Sequence, residues 1–278
     1  MRIKHRFGFN SGNANITHFL ETNKINHKNS GIVTAFEMYE DNEKFSSVRA
    51  FMTLHNISSI SESVYTVDEI DNAKWLTVRS SWRSLYPYPR ENMNYIFTTY
   101  DTTNYCEGDV PDYYCRKGAK QNECFMLEKE PNWGSRNFLM LNCVEDELFI
   151  SQKAEETLRD SELTGFDLYD VFNKSKKRLE SIKQVYVNKY LVHGFSDDAI
   201  QEALVCPKCG FKKYLPKVGV VRFRKEVFED IGEDIVKTND KFGGIFCFSL
   251  ILITHKFYKV ITNAKLERGL VFEPVELV

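Results

Sequence analysis

The stretch best suited to chemistry is Cys206-Pro207-Lys208-Cys209-Gly210. Two thiolates at C-x-x-C spacing converge on one ion, and the glycine after them lets backbone amides turn toward the sulfurs. Three readings stay open: a zinc knuckle whose metal holds a turn, a remnant turn without metal, or a redox pair, the last disfavoured because no helix begins at the motif. A tetrahedral structural site needs four ligands, and no second C-x-x-C exists. Cys115, Cys124, Cys143, Cys247, His193 and His255 are the candidates to complete it, none at a diagnostic spacing. The cofactor expectation is therefore none, or one structural zinc on Cys206 and Cys209. The six histidines are scattered singly. There is no G-x-S-x-G elbow, Gly-rich phosphate loop, H-E-x-x-H or kinase set, so the chain reads as a non-enzyme. A lone Ser or Cys nucleophile with distant partners stays open.

Other side chains suit binding. Glu226, Glu229, Asp230, Glu233 and Asp234 fall at helical spacing and predict an acidic helix, either a solvated face or a surface that steers a basic partner. Trp82, Tyr86, Tyr88, Tyr105, Tyr113 and Tyr114 are of the types that anchor interfaces, with Tyr113 and Tyr114 singled out as partner-binding. Lys208, Lys212, Lys213, Arg222 and Arg224 surround the knuckle, and the alternative function is a zinc-knuckle nucleic-acid-binding protein with these as phosphate contacts. A net charge of −2 argues against a dedicated nucleic-acid binder, though not against a local patch.

The elements that must position these groups contain a duplication. Glu147-Leu148-Phe149-Ile150-Ser151-Gln152-Lys153 runs on to Leu163-Thr164-Gly165-Phe166, and Leu250-Ile251-Leu252-Ile253-Thr254-His255-Lys256 runs on to Leu266-Glu267-Arg268-Gly269-Leu270. Each reads as strand, helix, strand. Ser151 and Thr254 are predicted N-caps, Leu158, Leu163, Phe257, Ile261 and Leu266 a buried helical face, and Gly165 and Gly269 the helix stops. The caps stand 103 residues apart (254 − 151) and the glycines 104 (269 − 165). That period is too long for a solenoid, which leaves two copies of a small unit within one domain.

The predicted fold class is α+β, with a strand-rich N-terminal half, residues 1–135, and a C-terminal domain, residues 136–278, holding the duplication. Residues 1–30 read as loops and a short helix. Strands are predicted at 32–39, 48–54, 75–78, 95–100 and 218–224, a charged helix at 174–189, and a long surface loop at 101–135. A chain of 278 residues buries about 70–75% of its unfolded surface, enough for a core without disulfides. The odd cysteine count, a basic start without an apolar run behind it, and a longest apolar run (243–253) too short for a bilayer give the expectation of a cytoplasmic, non-membrane protein.

The run through Glu147–Lys153 and Thr164-Gly165-Phe166, the ending Gly269-Leu270-Val271-Phe272-Glu273-Pro274-Val275 and the upstream Cys206-Pro207-Lys208-Cys209-Gly210 together resemble bacterial immunity proteins of polymorphic toxin systems, nearest the double C-x-x-C-G group. The resemblance covers residues 136–278, and the N-terminal half, where partner specificity would lie, brings no match. It implies a cytoplasmic, non-enzymatic protein that neutralises a cognate toxin by binding it. The chain departs from the pattern in carrying one C-x-x-C-G rather than two, which puts metal binding in question.

Overall fold

The structure, a computed structural model, describes residues 1–104, 106, 115–244 and 247–278. It divides into two compact units, Met1–Glu69 and Ile70–Val278, so the contacts separate well before residue 135, where the sequence places the boundary. The predicted α+β class holds.

In the first unit β1 (Arg2–Asn10), α1 (Ala14–Thr22), β2 (Lys28–Asn29), β3 (Val33–Tyr39), α2 (Phe45–Leu54) and β4 (Ser59–Val64) form a sheet of order β2-β3-β1-β4 with two helices. The N-terminus is a strand, not a loop, because His5, Phe7 and Phe9 alternate inward while Arg6 and Gly8 face out. Residues 48–54 lie in a helix, not a strand: Phe45, Val48 and Met52 are spaced three and four apart and reach the same core as Ile16, Leu20 and Phe36. A short helix, α3 (Val67–Asp71), follows.

The second unit proceeds through β5 (Trp75–Ser80), α4 (Tyr95–Thr99), β6 (Tyr100–Asp101), β7 (Lys120–Gln121), β8 (Met126–Leu127) and β9 (Phe138–Leu139) to the first copy of the duplication, β10 (Leu148–Ser151), α5 (Gln152–Arg159) and β11 (Phe166–Asn173). Then come β12 (Arg178–Val187), β13 (Tyr190–Leu191), β14 (Ile200–Val205), β15 (Lys212–Pro216), β16 (Arg222–Phe223) and β17 (Ile235–Phe242). The second copy follows as β18 (Phe248–Thr254), α6 (His255–Asn263) and β19 (Leu270–Pro274), and β20 (Glu276–Leu277) ends the chain.

Both copies form as expected, and the likeness extends beyond them. Ser151 Oγ accepts from Ala154 N and donates to Asn137 Oδ1; Thr254 Oγ1 accepts from Phe257 N and donates to Asp234 Oδ1. Asn137 and Asp234 each stand just before an equivalent strand, β9 or β17, and each strand lies antiparallel beside its unit. In each copy a third strand fills the space between the two strands that flank the helix: β12 between β10 and β11, and β5 between β18 and β19, always antiparallel. In chain order, then, β5-β9-β10-α5-β11 is repeated by β12-β17-β18-α6-β19, and the first strand of each run is inserted into the other run's sheet. One core serves both, with Leu158, Phe257, Ile261 and Leu266 packed among Leu76, Val78, Ile150, Val185, Val187, Ile235 and Ile253.

Several expectations change. Residues 178–187 are a strand rather than a charged helix, with Leu179, Ile182, Val185 and Val187 buried while Arg178 and Glu180 reach solvent. Residues 95–99 are a short helix, and only Arg222 and Phe223 of the 218–224 segment pair as a strand. The acidic helix does not form; Lys225–Phe228 is one 3-10 turn. The 101–135 segment is irregular but not merely superficial, since Cys115, Phe125 and Leu127 are fully buried. The glycines do not stop the helices, which end at Arg159 and Asn263. They turn the chain into the returning strands, and Gly165 (φ +99°) packs so closely that a Cβ would lie 2.3 Å from the Ile235 carbonyl oxygen. Gly165→Ala should therefore destabilise the protein by about 2–4 kcal/mol in urea unfolding, against a few tenths for the solvent-facing Gly232→Ala, where a Cβ meets nothing.

Candidate metal centre

Cys206 directly follows β14 and Cys209 lies in the turn to β15. Cys206 N donates to Phe211 O (2.9 Å) and Gly210 N donates to Cys206 O (2.9 Å), with Gly210 at φ +68°. This is the knuckle that the sequence announces. A second one is built from Cys106 and Cys115: Cys106 N donates to Lys117 O (3.1 Å), Arg116 N donates to Cys106 O (3.2 Å), and Arg116 takes φ +54°. Cys106, Cys115, Arg116 and Lys117 thus repeat the bonding of Cys206, Cys209, Gly210 and Phe211. The difference is a longer link between the two cysteines and an arginine where the left-handed backbone favours glycine, a conformation that costs about 1–2 kcal/mol. The knuckles occupy equivalent places, one between β5 and β9 and the other between β12 and β17.

The two meet. Cys106 Sγ lies 3.8 Å from Cys206 Sγ, Cys115 Sγ lies 3.5 Å from Cys209 Sγ, and all four sulfurs fall within 4.8 Å of one another. A tetrahedral ion with bonds of about 2.3 Å to sulfur has S···S edges of about 3.8 Å, whereas a disulfide is about 2.05 Å, so the set fits a four-thiolate metal site. Cys106, Cys115 and Cys206 are buried, and half-buried Cys209 and Phe211 pack against them. Four thiolates around a tetrahedral ion leave no position for substrate, which makes the site structural in type.

The thiols differ in acidity. Burial works against the Cys206 thiolate, but the backbone amides of Cys209 and Lys208 outweigh it and lower its pKa to about 7. Cys115 is pushed far up, first by burial and then by the neighbouring sulfurs, despite the Lys117 amide. A cation is what would draw protons from the remaining thiols, so metal affinity rises with pH.

Of the residues expected to complete the site, Cys115 does so. Cys124, Cys143, Cys247, His193 and His255 do not, and His193 instead bonds Asp240 (3.0 Å). Cys106 escaped the sequence reading because a C-x8-C spacing has no signature; its near-equivalence to Cys206 under the repeat was the available signal.

The acidic set is divided. Glu226, Glu229 and Asp230 are exposed, whereas Glu233 pairs with Lys189 (3.7 Å) and Asp234 is buried, accepting from Thr254 Oγ1 (2.8 Å) and Thr164 N (3.1 Å). Tyr105, Tyr113 and Tyr114 lie outside the described residues. Trp82 packs edge-on against Trp133, and Tyr86 is exposed beneath Arg90. The basic residues near the knuckle are divided: Lys213 is buried against Gly244 O and Arg222 is paired with Asp198 and Glu276, whereas Lys208, Lys212 and Arg224 are exposed, Arg224 donating to His193 O.

Beside the centre the two runs share a buried ion pair, Lys237 Nζ to Glu147 Oε1 at 2.5 Å, with Gln184 donating to the other Glu147 oxygen (2.9 Å). Burial disfavours the Lys237 charge, but Glu147 and Asp146 outweigh it and its pKa is raised; burial raises Glu147 against the pull of Lys237. Breaking such a pair leaves an uncompensated buried charge, whereas removing both partners does not. Lys237→Met should cost about 3–5 kcal/mol in urea unfolding, and Lys237→Met with Glu147→Leu should recover most of that loss. No protein-family model matches the chain, and no curated protein and no solved structure is found to be similar to it.

Proposed function

We propose that this protein is an immunity protein: a non-enzymatic cytoplasmic module, stapled by one structural zinc on Cys106, Cys115, Cys206 and Cys209, that binds and neutralises a cognate toxin. The observation that carries the reading is the second knuckle. The double C-x-x-C-G immunity group is defined by two such turns, and the chain has the bonding pattern of two although its sequence spells only one. The closed four-sulfur geometry supports a structural rather than catalytic zinc, because the ion would join loops about a hundred residues apart. By the chain-entropy argument for cross-links, closing a loop of that length is worth about 4–5 kcal/mol.

The exposed acidic residues Glu226, Glu229 and Asp230 supply a surface that would steer a basic toxin, and an exposed Tyr86 with Phe97 supplies apolar contact area. Nucleic acid as the partner is less well supported, since Lys213 is buried and Arg222 is ion-paired, which leaves Lys208, Lys212 and Arg224 on the surface of a chain of net charge −2.

Elemental analysis of the purified chain should give one zinc per molecule, and Cys115→Ser or Cys206→Ser should lose it with a fall in Tm of about 10 °C or more. Absence of metal, or cysteine variants as stable as the parent, would remove the staple. The function is tested by expressing the toxin encoded next to this gene together with it. Growth should be restored and the two proteins should co-purify, and charge reversal at Glu229 and Asp230 should slow association about tenfold at low salt. A toxin that remains active and unbound would overturn the proposal.

A further inference from the structure

A half-enclosed cavity of about 400 Å³ lies beside the metal centre where the two runs meet, within the size range of small-molecule sites. Tyr100, Arg116, Asp146, Tyr186, Tyr190 and Lys241 line it. Two polar atoms there, Tyr100 Oη and Asp146 Oδ1, are buried with no hydrogen-bond partner among the described residues, and both residues are less than a tenth exposed. Such atoms are rare in native interiors unless something supplies the missing bond.

The guanidinium of Arg116 reaches the same space from a backbone conformation that glycine would hold without strain. Its contacts there are loose: Nη1 is 3.5 Å from Cys247 O and 3.8 Å from Asp146 Oδ1, and the group lies 5.0 Å from the Tyr100 ring. Lys241 donates to Ser249 Oγ (2.6 Å). The knuckle fixes this backbone, and an arginine in place of the glycine that would hold it without strain puts a cation into the polar cavity.

The charge balance favours an anion. Lys237 and Glu147 satisfy each other, which leaves Arg116, Lys241 and the exposed Lys120 against Asp146. We propose that the cavity binds a small organic monocarboxylate, with its carboxylate on Arg116, Lys241 and the Tyr100 hydroxyl and its body against the rings of Tyr186 and Tyr190. The planar guanidinium fork holds the carboxylate, and the two tyrosine rings suit an organic body that inorganic phosphate lacks. Burial keeps the Tyr100 phenol protonated, hence a donor. Asp146 Oδ1 accepts from a hydroxyl on the same ligand. The inference does not depend on the toxin-binding reading.

Calorimetry on the full chain with acetate, lactate, benzoate and mandelate, beside inorganic phosphate and benzyl alcohol, tests it. At least one carboxylate should bind about tenfold more tightly than phosphate or the alcohol. Arg116→Gly places at this position the residue its backbone prefers, and should keep metal content and circular dichroism while weakening carboxylate binding about tenfold or more. Tyr100→Phe should also weaken it, and decides the matter if the glycine variant fails to fold. Saturation by none of the carboxylates, phosphate binding as well as they do, or unchanged binding in the folded variants would overturn the proposal.

Discussion

The gap inside each strand-helix-strand unit is the constraint on which the second unit of the molecule depends. β10 and β11 run parallel with a helix crossing between them, and so do β18 and β19. Each pair flanks a third strand and stands two strand spacings apart, roughly 9–10 Å, too far to bond directly. Their inward-facing amides and carbonyls have to be met, since an unpaired buried backbone group costs about as much as a lost hydrogen bond. The chain meets them by exchange. β12 supplies the partner for the first copy, with Ser151 opposite Ile182, and β5 supplies it for the second, with Leu252 opposite Thr77 and Phe272 opposite Val78.

The exchange also decides where the polar chemistry lies. Both knuckles sit in connections that leave an exchanged strand, so threading β5 and β12 through each other's sheets carries Cys106 and Cys115 to Cys206 and Cys209. The Lys237–Glu147 pair bridges the same junction, from the second run to the first. Glu147 and Lys237, buried there, come from opposite runs, and mutual pairing is what makes their burial tolerable. Arg116 belongs to both settings, since its backbone completes a knuckle and its guanidinium faces the charged cavity.

The local grammar of the duplication was readable in the sequence because it rests on short-range chemistry: a hydroxyl cap, an apolar helical face, a glycine that takes positive φ. What surrounded it was not, for identifiable reasons. Arg178–Val187 follows the charged run Lys174-Ser175-Lys176-Lys177, yet it is a central strand, because tertiary pairing on both sides overrides propensity. Val48–Leu54 looked β-branched and aromatic, but its burial follows a helical period once Phe45 is counted. His5, Phe7 and Phe9 alternate plainly, and were hidden by the asparagines that follow. The acidic stretch failed as a helix because Asp234 is committed to the Thr254 cap, the counterpart of Asn137 at Ser151. The second knuckle was invisible for a different reason: its hydrogen bonds survive while its spacing does not.

The exchange bears on how the molecule is made. Trp75–Ser80 is synthesised well before its two neighbours, Phe248–Thr254 and Leu270–Pro274. Until both have emerged, an apolar strand carrying Trp75, Leu76 and Val78 has no sheet to join, so the second unit closes late relative to that strand. Proteins whose pairings span so much of the sequence fold slowly and expose sticky edges in the interval. The same interlocking makes the arrival of β18 and β19, rather than any local helix, the event that commits the second unit to its final form.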